Sequence, residues 1–456
     1  MDTLNRTDNS DPGGIVLPES LSGILNLLRH HGATRIYAKK LAPNDNSKNQ
    51  IYLGGDFSAL NIIPHGNIYS DDTETAGSIR DRAKAAVDFS WVDASGLYPA
   101  PHTSLILYPK YPEVRMSGFL LGCRGAPSEI MRVRDEGRIL FLGITAQGTV
   151  LGYAAASGSA AAAELASHDW PAVGVFIELP LLLGQDTPRA ILLKELRRIF
   201  HQHWIASQKL GADGVKAPYA ARNGGGYTLE AELGITPNSY AEPDFMGWEV
   251  KQYGVNNFVS FRPKSPVTLM TPEPNDGLYK LAGIGDFLNQ FGYPDQSGIP
   301  DRLNFGGRYD CQRGFHPLTG LRMTITGFDK EKSRISDLDG SLALLDAQGN
   351  IAASWSFKGL MAHWNRKHAQ AAYIPSLFRT PPPEYCFGAQ VLLCEQTDFI
   401  LFLKAFAAGT IYYDPAIKCE NRSTSQPLIK RRSQFRIAHR DLPAIYHKHE
   451  VVSLVG

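Results

Sequence analysis

Asp244, Glu249 and Lys251 stand in the run Pro243-Asp244-Phe245-Met246-Gly247-Trp248-Glu249-Val250-Lys251, a P-D-x4-E-x-K spacing. In an extended strand, residues two apart project from one face, so the Glu249 carboxylate and the Lys251 ammonium would point the same way. Asp244 lies just before them, at a turn that contains Gly247. Two carboxylates and an ammonium at one point are what phosphodiester hydrolysis needs. Carboxylates hold a hard divalent cation, usually Mg2+, through oxygen. The cation neutralises phosphoryl charge and polarises a water, and a lysine orients or deprotonates that water. The bare spacing arises by chance in a chain of this length on the order of one time in twenty. An exposed strand of alternating charge gives the same pattern, so the spacing alone does not decide.

The elements that must position these residues are legible in outline. Tyr227 to Ile235 precedes the motif and carries Glu230 and Glu232. On a helix these two face different ways, because residues two apart are not neighbours on a helix surface. Further upstream, Thr187 can cap a helix, Pro188 suits its first turn, and Ile191, Leu192, Leu196, Ile199 and Phe200 make one apolar face that Gly211 ends. Asn223-Gly224-Gly225-Gly226 reads as a junction or tight loop. Residues 212–456 mix helices and strands as an α/β domain would.

Before this, the texture is β-rich. Leu21, Ile24, Leu25 and Leu28 recur at helical spacing before Gly32. Strands are predicted over 35–41, 51–53, 104–108, 114–121, 139–144, 150–155 and 173–179, with a Gly148-containing hairpin turn between 144 and 150. The short Ala-rich run 159–163 reads as helix. The division is a tail over 1–17, a β-rich domain over 18–210 and a second domain over 212–456. The fold class is α+β.

Composition limits the function classes. The chain has 456 residues, 43% of them apolar and 20% charged, so it is neither disordered nor fibrous. Lys plus Arg is 46 and Asp plus Glu is 45; any nucleic-acid signal must come from local clustering. No run of eighteen apolar residues exists and the polar N-terminus lacks a secretory h-region, so a cytoplasmic protein is expected. The five cysteines are scattered without C-x-x-C, which disfavours disulfides or a zinc site. The histidines at 201–203, 363–368 and 447–449 lack H-E-x-x-H spacing, and no G-K-[ST] follows Gly226, so ATP-driven action is disfavoured.

The segment T-L-E-x-x-L-G-I followed by P-D-F-x-G-W-E-V-K closely resembles the MvaI/BcnI family of restriction endonucleases, within the PD-(D/E)xK nuclease class. The resemblance runs over about 215–450 and takes in Trp364 with Lys367, Tyr373-Ile374-Pro375, Tyr413-Asp414-Pro415 and the run 430–437. It implies an α/β nuclease domain. Asp244 and Glu249 would bind Mg2+ with help from the Val250 carbonyl, Lys251 would act on the attacking water, and Glu230 would complete the acidic cluster in preference to Glu232. It also implies a monomer that cuts double-stranded DNA one strand after the other at a site such as CCWGG or CCSGG. A cytosine methyltransferase would then protect the host. The rival readings are a strand-specific repair nickase and a DNA-binding regulator that does not cleave.

The stretch 414–449 is locally basic. Arginine reads guanine bidentately and aspartate accepts from cytosine N4, so Asp414 with Arg432 and Arg436 suits a G·C-rich site. Lys430, Arg431 and His439 are further candidates for base or phosphate contact. A solvated basic loop has the same composition. In the N-terminal half, the region around Lys39, Asn44, Asp45, Lys48, Asn49 and Gln50 resembles the EcoRII effector domain, a DNA-binding β-pseudobarrel, and departs from it between 46 and 49. That resemblance implies that this domain binds a second copy of the site and raises activity at the first.

Overall fold

The computed structural model describes residues 19–43, 49–71, 82–109, 112–221, 223–237 and 243–455. Among these the chain is mixed α+β, with many short sheets and few helices. The tail 1–17 and the candidate contacts Asn44, Asp45 and Lys48 lie outside the described residues.

The N-terminal half is built on strands buried on both faces. Ile139–Thr145 is buried along its whole length. Leu140, Leu142 and Ile144 enter one core while Ile139 and Phe141 enter another, as the two-residue period of a strand requires. The strand is central in a seven-stranded sheet, antiparallel to both Ala33–Lys40 and Val150–Ala155. Helix Leu21–His30, capped by Ser20, and helix Ala160–Ala166 bury their apolar faces in one of these cores. A five-stranded antiparallel sheet contributes Ile51, Leu53, Leu105, Leu107, Val114 and Met116 to the other. Two expected strands are interrupted. The run 114–121 is a strand only to Ser117. Gly118 turns there at φ 79°, and a Cβ on it would lie 1.9 Å from the His102 carbonyl oxygen, so only glycine fits. Gly174, at φ 60°, divides the run 173–179 into the antiparallel strands Ala172–Val173 and Phe176–Leu179.

Helix Pro188–Phe200 starts as its sequence predicts, with the Thr187 hydroxyl accepting from the Ala190 N–H. It ends at Phe200, and Trp204–Ala206 and Gln208–Leu210 are already strands. Its buried Leu192, Leu196 and Ile199 pack with Trp248, Val250 and Leu229, so this helix belongs with the motif-bearing elements rather than with the β-rich half. Burying each such side chain contributes roughly 1.5–3 kcal/mol.

The sheet that carries the motif has the order Trp204–Ala206, Glu384–Phe387, Gln370–Arg379, Gln390–Glu395, Lys448–Ser453. Glu249–Gly254 joins it in parallel, with Glu249 opposite Ala371 and Lys251 opposite Tyr373. Val250, Ala372 and Ile374 lie in the core beneath helix Pro188–Phe200. Ala371 and Tyr373 face the opposite core, which holds helices Phe357–Lys367 and Phe399–Ala407. That core is continuous with the N-terminal half, because Leu60, Ile63, Trp364 and Phe399 share it. Polar contacts follow the same junction. The Asn61 amide donates to the Thr397 carbonyl (2.6 Å) and the Gln396 amide to the Ala172 carbonyl (2.9 Å). The five cysteines are free thiols, and no helix among the described residues is long and apolar enough to cross a membrane.

Candidate active site

The three glycines at 224–226 open a helix, Gly224–Glu232, instead of forming a loop. The first two, Gly224 and Gly225, are there for close approach. A Cβ on Gly225 would lie 2.8 Å from Gln252 Oε1, and one on Gly224 would lie 2.5 Å from Ser207 Oγ. The helix therefore presses directly against the strand Glu249–Gly254. Glu230 projects from it into an open cleft of about 990 Å³ that Asp244, Glu249, Lys251 and Lys367 also line. Glu232 points elsewhere. Its carboxylate accepts from Lys216 (2.6 Å), Gln208 (2.6 Å) and Gln202 (2.9 Å) and pairs with Arg198.

A tight turn brings Asp244 back to the strand. Phe245 and Trp248 exchange backbone hydrogen bonds of 2.9 and 2.8 Å around Met246 (φ 47°) and Gly247 (φ 90°). Two successive left-handed residues are the hallmark of a type I′ hairpin turn. The fully buried Trp248 anchors it. Asp244 Oδ2 then accepts the Val250 N–H at 3.1 Å. Lys251 Nζ donates to Glu249 Oε1 at 2.7 Å, so the two side chains do share a face. The Glu249 side chain is only 4% exposed.

Charges in this cleft are tightly balanced. Burial, reinforced by the Glu249 charge, pushes the Asp244 carboxyl up to about 7. Burial and Glu249 likewise raise Glu230, against the pull of Lys367 and Lys251. Burial alone would raise Glu249, but the Lys251 and Lys367 ammoniums outweigh it and hold Glu249 below the usual carboxylate range. Burial would lower Lys251, yet the charge and hydrogen bond of Glu249 keep it above the ordinary lysine value. Lys367, at the end of helix Phe357–Lys367, thus acts on all three carboxylates. The motif spacing gives no hint of it; only the family likeness singled it out, without a role. His368 beside it is fully buried, stacked on Trp364 and bonded to the Leu269 carbonyl, and burial lowers it to about 3. It is a core histidine.

The donor set fits a divalent cation. Glu249 Oε2 is buried without a hydrogen-bond partner among the described residues. An orphaned carboxylate oxygen beside a second carboxylate is costly unless a cation satisfies both. No group of three or more His, Cys, Asp or Glu among the described residues forms a ready metal cage. Mg2+ is commonly held by only one or two carboxylates, with waters and substrate phosphate completing its shell. A pH dependence follows. Asp244 ordinarily ionises near 3.8 and here keeps its proton up to about 7. A bound proton competes with the cation, so Mn2+ affinity in the absence of DNA should rise about tenfold per pH unit up to about pH 7 and then level off. Calorimetric titration in buffers of different ionisation enthalpy measures this; a flat affinity between pH 5.5 and 7 would contradict it. The sign for folding is opposite. Between about 4 and 7 the folded metal-free protein holds a proton that the unfolded chain has released, so its stability falls as pH rises through that range.

The candidate DNA contacts separate into three places. Arg436 lines the same cleft as Lys251. Its guanidinium donates to Asp414 Oδ2 (2.6 Å) and the Pro266 carbonyl (2.8 Å), while its Nε is buried with no partner among the described residues. The His439 ring packs tilted against Tyr253, centroids 4.1 Å apart, and burial lowers it to about 4, so it is neutral. Lys430, Arg431 and Arg432 instead line a second cleft of about 570 Å³ with Arg302 and Lys418. Lys430 is paired there with Glu420 (2.9 Å). In the N-terminal half, Lys39, Asn49 and Gln50 border a pocket of about 220 Å³ with Arg115. Lys39 is 8% exposed and donates to the Lys40 carbonyl, so it is a buried lysine and not a projecting phosphate contact. Gln50 accepts from Arg115 at 3.4 Å, and Asn49 is left-handed at φ 50°.

Comparison with known proteins gives one family. The model of the MvaI/BcnI restriction endonuclease family matches residues 193–446. Two similar solved structures are a restriction endonuclease MvaI–cognate DNA substrate complex and restriction endonuclease MvaI in the absence of DNA. The first has 17% identity and a TM-score of 0.43, covering 59% of this chain and 99% of that one. The second has 16% identity and a TM-score of 0.33, covering 59% and 100%. No curated protein matches the chain.

Proposed function

The chain belongs to the MvaI/BcnI restriction endonuclease family and is a type II site-specific deoxyribonuclease, and from that premise we propose that Asp244, Glu249 and Lys251 form its hydrolytic site. The observation that carries this is the convergence of the three side chains in one cleft, with Glu249 Oε2 left without a partner among the described residues. Asp244 and Glu249 would hold Mg2+, which when bound neutralises phosphoryl charge and lowers the pKa of a water. Lys251 is an ammonium here, so it serves as a donor that aligns the attacking water. Lys367 adds a second positive charge facing the same carboxylates, and Glu230 closes the acidic cluster. The water oxygen bonds to phosphorus as the bond to the 3′ oxygen breaks. The 3′ oxygen takes a proton, leaving a 3′-hydroxyl and a 5′-phosphate. The nuclease unit so formed is an α/β PD-(D/E)xK domain.

Asp414 and Arg436 are proposed to read a C·G pair of a short G·C-rich site, CCWGG-like or CCSGG-like. Arg436 has donors to spare after its two internal bonds, and aspartate accepts from cytosine. His439 packs on Tyr253, which lines the same cleft as Arg436, and would contact DNA from there, while Lys430, Arg431 and Arg432 would contact phosphates from their separate cleft. The protein acts as a monomer with one site and cuts the strands in turn. A time course on a one-site supercoiled plasmid should show nicked circles rising before linear DNA. Linear DNA appearing without a nicked intermediate would contradict a single site, and nicks that never become linear would favour a strand-specific nickase.

The β-rich half, read as a DNA-binding β-pseudobarrel, would take a second copy of the recognition sequence through the pocket that Asn49, Gln50 and Arg115 border, with Lys39 buried at its edge. Plasmids with two sites, or one site plus a site-bearing oligonucleotide, should then be cut faster than one-site plasmids; equal rates would remove the effector role. The enzyme would work in the cytoplasm beside a cytosine methyltransferase that protects host DNA.

A further inference from the structure

The turn that carries Asp244 is backed by a residue from the other half of the chain. Arg35 lies on the strand Ala33–Lys40 of the seven-stranded sheet, at a register irregularity between Ala33 and Arg35. Its aliphatic stem runs over Gly247. A Cβ placed on Gly247 would lie 3.2 Å from Arg35 Cδ and 3.6 Å from Nη1. Gly247 therefore has two reasons to be glycine: its φ of 90° and the close approach of Arg35. The turn is otherwise poorly supported on this side. Pro243, Met246 and Gly247 border a cleft of about 710 Å³ together with Arg35, instead of entering a packed core.

The charge of Arg35 also has an effect beyond the turn. Its charge acts on Glu178, which sits opposite Tyr37 on the adjacent strand. Glu178 is in turn hydrogen-bonded to the side chain of Gln370. Gln370 opens the strand whose next residue, Ala371, is paired with Glu249. One arginine thus touches the turn that sets Asp244 and is linked, through Glu178 and Gln370, to the strand that sets Glu249.

We propose that Arg35 is a positioning residue: its stem props the 244–248 turn so that Asp244 and Glu249 keep the separation their shared cation requires. This rests on the hydrolytic role given to Asp244 and Glu249 above. A misplacement of about 1 Å at a reacting centre costs on the order of a hundredfold in rate. The prop carries no substrate contact, so its removal lowers turnover without weakening DNA binding.

Arg35→Ala and Arg35→Met in the full chain test this. Methionine keeps an apolar stem over Gly247 and removes the charge toward Glu178. Arg35→Ala should lower the single-turnover cleavage rate about tenfold or more, leave KM for DNA within about twofold, and weaken Mn2+ binding without DNA. Arg35→Met should cut within about threefold of wild type. A merely structural role would lower Tm in both variants without moving Mn2+ affinity or splitting kcat from KM. Wild-type cutting by a folded Arg35→Ala would overturn the proposal. If Arg35→Ala does not fold, Arg35→Met decides: near-wild-type cutting supports the prop, and a tenfold loss overturns it. Failure of the wild-type protein to bind Mn2+ or cut DNA would instead refute the hydrolytic role itself.

Discussion

Lys251→Ala is expected to lower the single-turnover cleavage rate by about a hundredfold or more, the cost of losing the donor that aligns the attacking water. The variant should still bind the recognition sequence, since base reading is assigned to other side chains, Asp414 and Arg436. It also carries a folding signature. Glu249 is 4% exposed and its Oε1 accepts from Lys251, so alanine leaves a buried carboxylate without its nearest counter-charge. Breaking one side of a buried pair typically costs about 3–5 kcal/mol. A divalent cation at Glu249 would offset that loss. Mn2+ should therefore raise the Tm of Lys251→Ala more than that of wild type. Equal cutting by the variant, or an equal Tm response, would count against the proposed role of the pair.

Arg436→Ala is expected to weaken binding to the recognition sequence by about 1–3 kcal/mol, or roughly fivefold to 150-fold, the worth of one bidentate contact to a base. Binding to unrelated DNA should change little. Arg432→Ala is the contrast. Arg432 lines the separate basic cleft, so its loss should weaken binding to all sequences alike and reduce the salt slope by about one. Titration of both variants with cognate and unrelated duplexes at several salt concentrations separates the two. An Arg436→Ala variant that loses cognate and unrelated binding equally would place this arginine on the phosphate backbone.

What was legible in the sequence follows how local each determinant is. Asp244, Glu249 and Lys251 sit within nine consecutive residues, and the strand period and one glycine turn suffice to bring them together. The helix over 188–200 was legible from its cap, its proline and its apolar stripe, but not the sheet it would cover. Its partners Val250, Ala372 and Ile374 come from strands brought together only by a parallel pairing far along the chain. The glycines at 224–226 mislead because glycine is the commonest turn signal. Here the missing side chains of Gly224 and Gly225 let a helix approach Ser207 and Gln252, which is a tertiary reason with no local mark. Lys367 and Arg436 share a cleft with Lys251 for the same long-range reason. Lys39 shows the opposite failure. A lysine on a strand reads as a projecting cation, yet this one is buried where its sheet packs.

Plasmid cleavage by wild type and Asp244→Ala, with Mg2+ or with EDTA and with the ends sequenced, tests most directly whether this acidic cluster is the nuclease site. Wild type with Mg2+ should give 5′-phosphate and 3′-hydroxyl ends at one short sequence, and no cleavage should occur with EDTA or with Asp244→Ala. Undiminished cutting by Asp244→Ala, or by wild type in EDTA, would contradict the assignment.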